Sequence, residues 1–463
     1  MRNTLIFVLA CALLLGLVAC GSSAPPVTEA PAAALTDAPS AAPASSPPVI
    51  TARPPVPRTG EDWLFADGRR IVDQDGNEVW ITGLNWFGYN TNRLIFDGAW
   101  GMDIRDMVFQ IADRGFNMIR VPLSMQLVRN WSRGNYPVYA TVDDTLNPKF
   151  TEEGTLAYLD YFIDCCAEAG VKIMLDIHSV RDGIGAHGLE VWYDLGLSVE
   201  EFYQTLEFLA GRYRDDDTVV AFDLKNEPHG NPSAKYRAVW NDAEDETENW
   251  KYVAEQAAGR VLAVNPDILI VIEGIEAYPK DPAGNADYAS MDAGDYHFTW
   301  WGGNLRGVRD FPVDLGDFQN KVVYSPHDYG PTVGMQPWFQ GEYDYERLYT
   351  EAWYPNWLYI HEDDLAPLII GEWGGPMREP NLKWMTLLRD MIIEQRVSHT
   401  FWCLNPNSGD TGGLLLADFK TWDETKYEFL KPALWQKDGR FVGLSANTPL
   451  GTQGMTRTEA NGT

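Results

Sequence analysis

Eight apolar runs of strand length punctuate this chain: VWITGLNW (79–86), FNMIRV (116–121), VKIMLDI (171–177), VVAFDL (219–224), ILIVIEG (268–274), KVVYSPH (321–327), PLIIGEW (367–373) and SHTFWC (398–403). Each is nearly continuous rather than alternating, the pattern of parallel strands buried on both faces. Parallel neighbours need crossovers, and helix-like segments lie between most of the runs. IRDMVFQIADRG and YLDYFIDCCAEAG each close on glycine; VEEFYQTLEFLAGRY, ENWKYVAEQAAGRVLAVNP and NLKWMTLLRDMIIEQ are also amphipathic. Eight strands with helical crossovers in about 380 residues predict an α/β chain folded as a (β/α)8 TIM barrel. It forms one domain over 61–440 with long βα loops. A doubly wound open sheet is the alternative, but no Gly-rich phosphate turn follows the first strand.

The segments outside that domain read differently. Arg2 precedes an apolar stretch over 5–18, too short to span a bilayer, and the stretch ends in LVAC. This resembles bacterial lipoprotein precursors, in which the lipobox cysteine is acylated. The resemblance implies a signal peptide over 1–19, a lipid anchor on Cys20 and a place outside the cytoplasm on a membrane or the cell surface. Ordinary signal cleavage and secretion is the alternative. Residues 20–60 are rich in Pro, Ala, Ser and Thr with no aromatic residue, and are expected to be a disordered tether reaching roughly 120 Å. The polar stretch 441–463 is expected to be a loose tail.

Composition narrows the partners. With 36 Lys and Arg against 66 Asp and Glu, the formal charge is −30, which repels nucleic acid and anionic headgroups and is indifferent to a neutral substrate. The 18 Trp exceed ordinary packing needs and suit half-wet contact surfaces. Cys165, Cys166 and Cys403 are too few and too badly spaced for a disulfide framework or a zinc site.

A barrel concentrates chemistry at the C-terminal ends of its strands. Those ends offer Trp86, Arg120, His178, Asn226 with Glu227, His327 with Tyr329, Glu372 and Trp402; only the fifth strand offers nothing. Glu227 and Glu372 lie on strands four and seven, across the barrel from one another. Hydrolysis of an unactivated acetal needs one carboxylic acid to protonate the leaving oxygen and a second carboxylate to attack the anomeric carbon or activate water. Arg120 and the Tyr329 hydroxyl favour an anionic Glu372. Glu227 has no cation in its local sequence and is the expected protonated acid. Asn226 is expected to meet a sugar hydroxyl, and Trp402 to lie under a pyranose face.

These segments resemble the glycoside hydrolase family 5 cellulases, a clan of (β/α)8 retaining hydrolases. The motifs are TGLNWFG, NMIRVPLS, LDIH, FDLKNEPH, TWWGGNLRG, YSPHDYGP, IIGEWG and FWCLNPNSGDTGG, running in family order over about 79–415. The resemblance implies a retaining endo-β-1,4-glucanase acting on cellulose or related β-glucan, with Glu227 as acid/base and Glu372 as nucleophile. It makes Arg120, His178, Asn226, His327 and Tyr329 the polar shell, Trp402 the platform at the cleavage point, Trp86 a wall of the negative subsites and Trp300–Trp301 a wall on the leaving-group side. Adjacent indoles do not easily both face a cleft, so loop packing competes for that pair. Trp192 and Tyr193 are weaker candidates. No cofactor or metal is expected, and a monomer is.

Three other readings remain. The same barrel suits mannan, xyloglucan or mixed-linkage β-glucan, since the segments 281–296 and 336–359 look individual and shape the outer cleft. A metal hydrolase would use His178, His327 and the glutamates, but the first strand ends in Asn85-Trp86-Phe87 rather than H-x-H. A non-catalytic glycan-binding protein would be natural only if either glutamate were replaced.

Overall fold

In a computed structural model, residues 60–137, 142–143, 145–147, 154–183 and 185–462 are described. The expected signal peptide, Cys20 and the tether lie outside them. Eight parallel strands form the central sheet: β1 (Thr82–Asn85), β2 (Met118–Ser124), β3 (Lys172–Ser179), β4 (Val219–Asp223), β5 (Leu269–Glu273), β6 (Val322–Ser325), β7 (Ile369–Ile370) and β8 (Ser398–Phe401). They neighbour one another in chain order from β1 to β6, and β8 pairs both β1 and β7. Two isolated parallel bridges, Tyr324 to Leu368 and His327 to Glu372, join β6 to β7 and close the ring. A doubly wound sheet has open edges and no such closure; this is the barrel.

Every expected run contains a barrel strand, and most strand residues are fully buried. The crossovers include α1 (Ile104–Asp113), α2 (Gly154–Glu168), α3 (Val199–Arg212), α4 (Trp250–Val264) and α5 (Asn381–Gln395), at the amphipathic segments read from the sequence. Local chemistry sets their starts. Asp103 accepts from the Asp106 N–H ahead of α1, and Ser198 with Glu201 forms a reciprocal capping box ahead of α3. None of the helices among the described residues is long and apolar enough to cross a membrane.

The stretch after residue 440 is not loose. Val442 bridges to Met455, and a short helix, Arg457–Asn461, follows. The Arg457 guanidinium is buried, 3.1 Å from Asp62 Oδ1 and 3.2 Å from Asp73 Oδ2. Asp62 also takes Lys172 Nζ at 2.6 Å and the Ala446 N–H at 2.7 Å, at the foot of β3. Polar residues hold this segment through ion pairs with partners nearly four hundred positions away, which composition does not reveal. The segment 336–359, expected to be loop, is partly helical, with Tyr349–Leu358 wound as a π-helix.

Candidate active site

At the C-terminal ends of the strands lies a cavity of about 510 Å³ lined by Glu227, Glu372, His178, Tyr329, Trp402, Trp300 and Trp301 among others. One oxygen of Glu227 and one of Glu372 lie within 4.8 Å of each other and of a His327 ring nitrogen. Glu372 is held by two donors. Arg120 Nη1 donates to Oε1 at 2.7 Å and the Tyr329 hydroxyl donates to Oε2 at 2.7 Å. Both favour a charged carboxylate.

Arg120 reaches this position from the middle of β2, pointing into the barrel, and has no solvent exposure. Its guanidinium also donates to Asp223 Oδ2 at 2.9 Å, Asn85 Oδ1 at 3.0 Å, Asn226 Oδ1 at 2.9 Å and Glu273 Oε1 at 3.2 Å, and lies 3.1 Å from Asp176. Four carboxylates thus converge on one cation whose charge cannot be titrated away. Arg120, Asn226 and His327 are buried beneath the cavity floor rather than lining it; Arg120 and His327 meet the carboxylates around them, and Asn226 accepts from Arg120 instead of reaching into the cavity.

Glu227 departs from the expectation of a neutral acid. Burial alone would raise its carboxyl, but the hydrogen bond and charge of His327 overcome that and hold it down at about 2. His327 Nδ1 lies 3.0 Å from Glu227 Oε1, and its Nε2 lies 3.2 Å from Glu273 Oε1. Burial works against an imidazolium there, yet Glu273, Glu372 and Glu227 together push His327 well above its ordinary value. The cation missing from the local sequence arrives from β6, a hundred residues on. In the free site the pair therefore keeps its proton on His327.

The backbone at Glu227 is itself constrained. Its φ is +49°, a left-handed conformation that a non-glycine residue adopts at a cost, and its N–H donates to Glu273 Oε2 at 2.7 Å. Glu273 is thus the polar group at the end of β5, where the sequence reading found none. Its signal was a lone acid inside an apolar strand, and Asp176 and Asp223 carry the same signal in β3 and β4.

His178 donates through Nδ1 to Asp176 at 2.7 Å; burial first, then Arg120 and His187, push it down to about 3, so it is a neutral ring. It lies parallel to Trp402 at 5.5 Å, and Phe87 is nearly parallel to Trp402 on another side at 5.5 Å. Trp86 is not in the cavity. It has no exposure, packs on Phe96 and Phe162, and donates its indole N–H to the Asp97 carbonyl. Asn85 points inward, so the next residue points out toward the helices and Phe87 lines the cleft. Trp300 and Trp301 both line the cavity, Trp300 edge-on to Tyr329 and Trp301 flat against His229. Trp192 is buried in the core. Asp97, missed in the sequence, lines the far end with Asn407, which donates to it at 2.7 Å.

Among the described residues, two clusters have the spacing of metal ligands, Asp223–Glu273–His327 and Glu227–His327–Glu372. Arg120 already sits within hydrogen-bond distance of Asp223, Glu273 and Glu372, supplying the positive charge that a metal would otherwise bring to those acids. His178 belongs to neither cluster and spends its Nδ1–H on Asp176.

Residues 72–408 match the family Cellulase (glycosyl hydrolase family 5). Endoglucanase G of Acetivibrio thermocellus is 46% identical over 445 residues, covering 89% of this chain and 78% of that protein. Endoglucanase B of the same organism is 40% identical, covering 85% and 76%. Among solved structures, an endocellulase of Pyrococcus horikoshii in complex with cellotetraose superposes with a TM-score of 0.69 at 31% identity, over 81% of this chain and 98% of that one. The barrel agrees with these likenesses, and the chain belongs to the cellulases of glycosyl hydrolase family 5.

Proposed function

We propose that this chain hydrolyses internal β-1,4-glucosidic bonds of cellulose or a related β-glucan with retention at the anomeric carbon. The observation that carries the reading is the pair of carboxylates with oxygens within 4.8 Å of each other at one cavity. Retaining hydrolases hold the two groups about 5–5.5 Å apart, whereas inverting ones leave roughly 6.5–9.5 Å for a water. Four aromatic side chains, Phe87, Trp402, Trp300 and Trp301, line the same cavity as that pair and supply flat apolar surface for several sugar rings of a chain.

Glu372, held in place by hydrogen bonds from Arg120 and Tyr329, attacks the anomeric carbon as the bond to the leaving oxygen breaks. Glu227 delivers the proton to that oxygen. Sugar in the cleft displaces water from the Glu227–His327 pair, and a drier pair favours carboxylic acid plus neutral imidazole over the separated charges. Esterification then removes the Glu372 charge. Glu227, again a carboxylate, takes a proton from water as the water oxygen attacks the same carbon and releases Glu372.

Glu372→Ala is expected to abolish turnover of a nitrophenyl cellobioside, with azide restoring it to an α-glycosyl azide; a variant of near-normal rate would remove Glu372 from its role. Product profiles on carboxymethylcellulose, mannan, xyloglucan and barley glucan test the substrate, and mannan hydrolysed faster than cellulose would overturn the β-glucan assignment. Anchoring outside the cytoplasm by lipid on Cys20 is a further part of this proposal, supported by the LVAC ending of the N-terminal apolar stretch. Labelled palmitate should enter the wild-type chain and not Cys20→Ala.

A further inference from the structure

The sequence NEPH places an imidazole two residues after Glu227, and its neighbours are unusual for a turn histidine. The His229 ring is parallel to the Trp301 indole, 6° between planes with centroids 3.7 Å apart. His229 is 3% exposed, whereas Trp301 is 37% exposed. The imidazole is therefore covered by the indole, which offers its other face to the cavity. His229 Nδ1 lies 2.7 Å from the Glu227 carbonyl oxygen, so this nitrogen carries the hydrogen and donates it. Burial lowers the pKa of His229 below its ordinary value, in keeping with a neutral ring.

Glu276 lines the cavity with Trp301, and its Oε2 accepts the Gly230 N–H at 3.0 Å. Gly230 has φ +121°, and a Cβ there would come within 2.5 Å of Arg237 Cα, so the turn tolerates only glycine. The backbone from Glu227 to Gly230 is thus held by Glu276 at one end and tied to Trp301 through the His229 ring stacked on it.

We infer that His229 is a positioning residue for the leaving-group side of the reaction, holding Trp301 in a fixed plane and in register with Glu227. The inference rests on the proposed role of Glu227 as proton donor. The donor must stand beside the departing oxygen, so the platform bound to its backbone lies under the departing sugar. An unbraced tryptophan would lose rotamer freedom each time a sugar stacked on it; here that freedom is already gone. His229 itself touches no sugar. Its effect appears only when the leaving group is large enough to reach Trp301.

The test compares two substrates in purified enzyme whose folding is checked by thermal melting. Cellotetraose releases a sugar onto Trp301, whereas β-cellobiosyl fluoride releases a single atom. His229→Asn keeps a side-chain N–H but loses the ring. It is expected to lower kcat/KM for cellotetraose about tenfold, mainly through KM, and to leave the fluoride within about twofold of wild type. His229→Phe restores the flat ring and should recover most of the cellotetraose loss, even if the asparagine variant folds poorly. Added to Trp301→Ala, the asparagine substitution should cost little more. Equal losses on both substrates, no loss on cellotetraose, or full additivity with Trp301→Ala would overturn the inference. A wild-type enzyme inert toward both substrates would instead overturn the proposed function beneath it.

Discussion

Glu227 and His327 form one acid–base unit, with carboxylate oxygen and imidazole Nδ1 3.0 Å apart. Two such groups titrate as a pair. Glu227 is lowered to about 2, so the pair takes a second proton only near that pH; His327 is raised well above its ordinary value, so the remaining proton leaves only on the alkaline side. The alkaline limb of kcat/KM should therefore lie above the ordinary imidazole range. In His327→Gln the limb should move to lower pH, because the imidazole that holds the proton on the alkaline side is gone, and the maximal rate should fall. A variant with an unmoved limb would separate the two groups.

Trp86 and Phe87 are adjacent and should behave as opposites. Trp86→Ala empties a fully buried site and is expected to cost about 3–5 kcal/mol of stability, while the folded fraction keeps its KM. Phe87→Ala removes a cavity wall parallel to Trp402 and should raise KM for cello-oligosaccharides several-fold, with a much smaller stability loss. Chemical denaturation and steady-state kinetics on both variants decide it.

Arg120→Met should destabilise the barrel by about 3–5 kcal/mol, because Asp176, Asp223, Glu273 and Glu372 lose the one guanidinium they share. Arg120→Lys keeps a charge but not the fork, so it should recover part of the stability and little of the activity. Denaturant midpoints and turnover measured together separate the two effects.

Arg457→Ala should lower the melting temperature measurably, since it leaves Asp62 and Asp73 buried without that partner. Burial raises the Asp62 carboxyl, but Lys172 and its hydrogen bonds more than offset this, so its folded value lies below the ordinary 3.8. A depressed carboxyl contributes stability above its unfolded value and loses it as pH falls through the folded one. The gap between wild type and Lys172→Met should therefore close in acid below about pH 4 and stay open at neutral pH.

The barrel was legible because parallel strands buried on both faces leave continuous apolar runs that no other element mimics at that length. Glu227 and Glu372 were legible because a charge ending such a run has few structural uses. Trp86 was misread because neighbouring positions at a strand end face opposite ways, and only the inward turn of Asn85 sets the phase. The charge on Glu227 was misread because its partner sits on another strand, and local sequence carries no trace of that meeting. Glu273 was visible as an acid within ILIVIEG, but its value to the Glu227 N–H depends on a backbone turn that only the fold reveals. The segment after residue 440 was misjudged for a related reason: its polarity is the sign of ion pairing, not of solvation.

The ring is closed between β6 and β7 by two bridges, and the second joins the backbones of His327 and Glu372. The thinnest stitch in the barrel wall is therefore also the one that sets His327, the partner of Glu227, beside Glu372. Heat or denaturant that parts this suture disarms the enzyme at the moment the wall first gives way, so loss of turnover should report the earliest opening of the barrel rather than its final collapse.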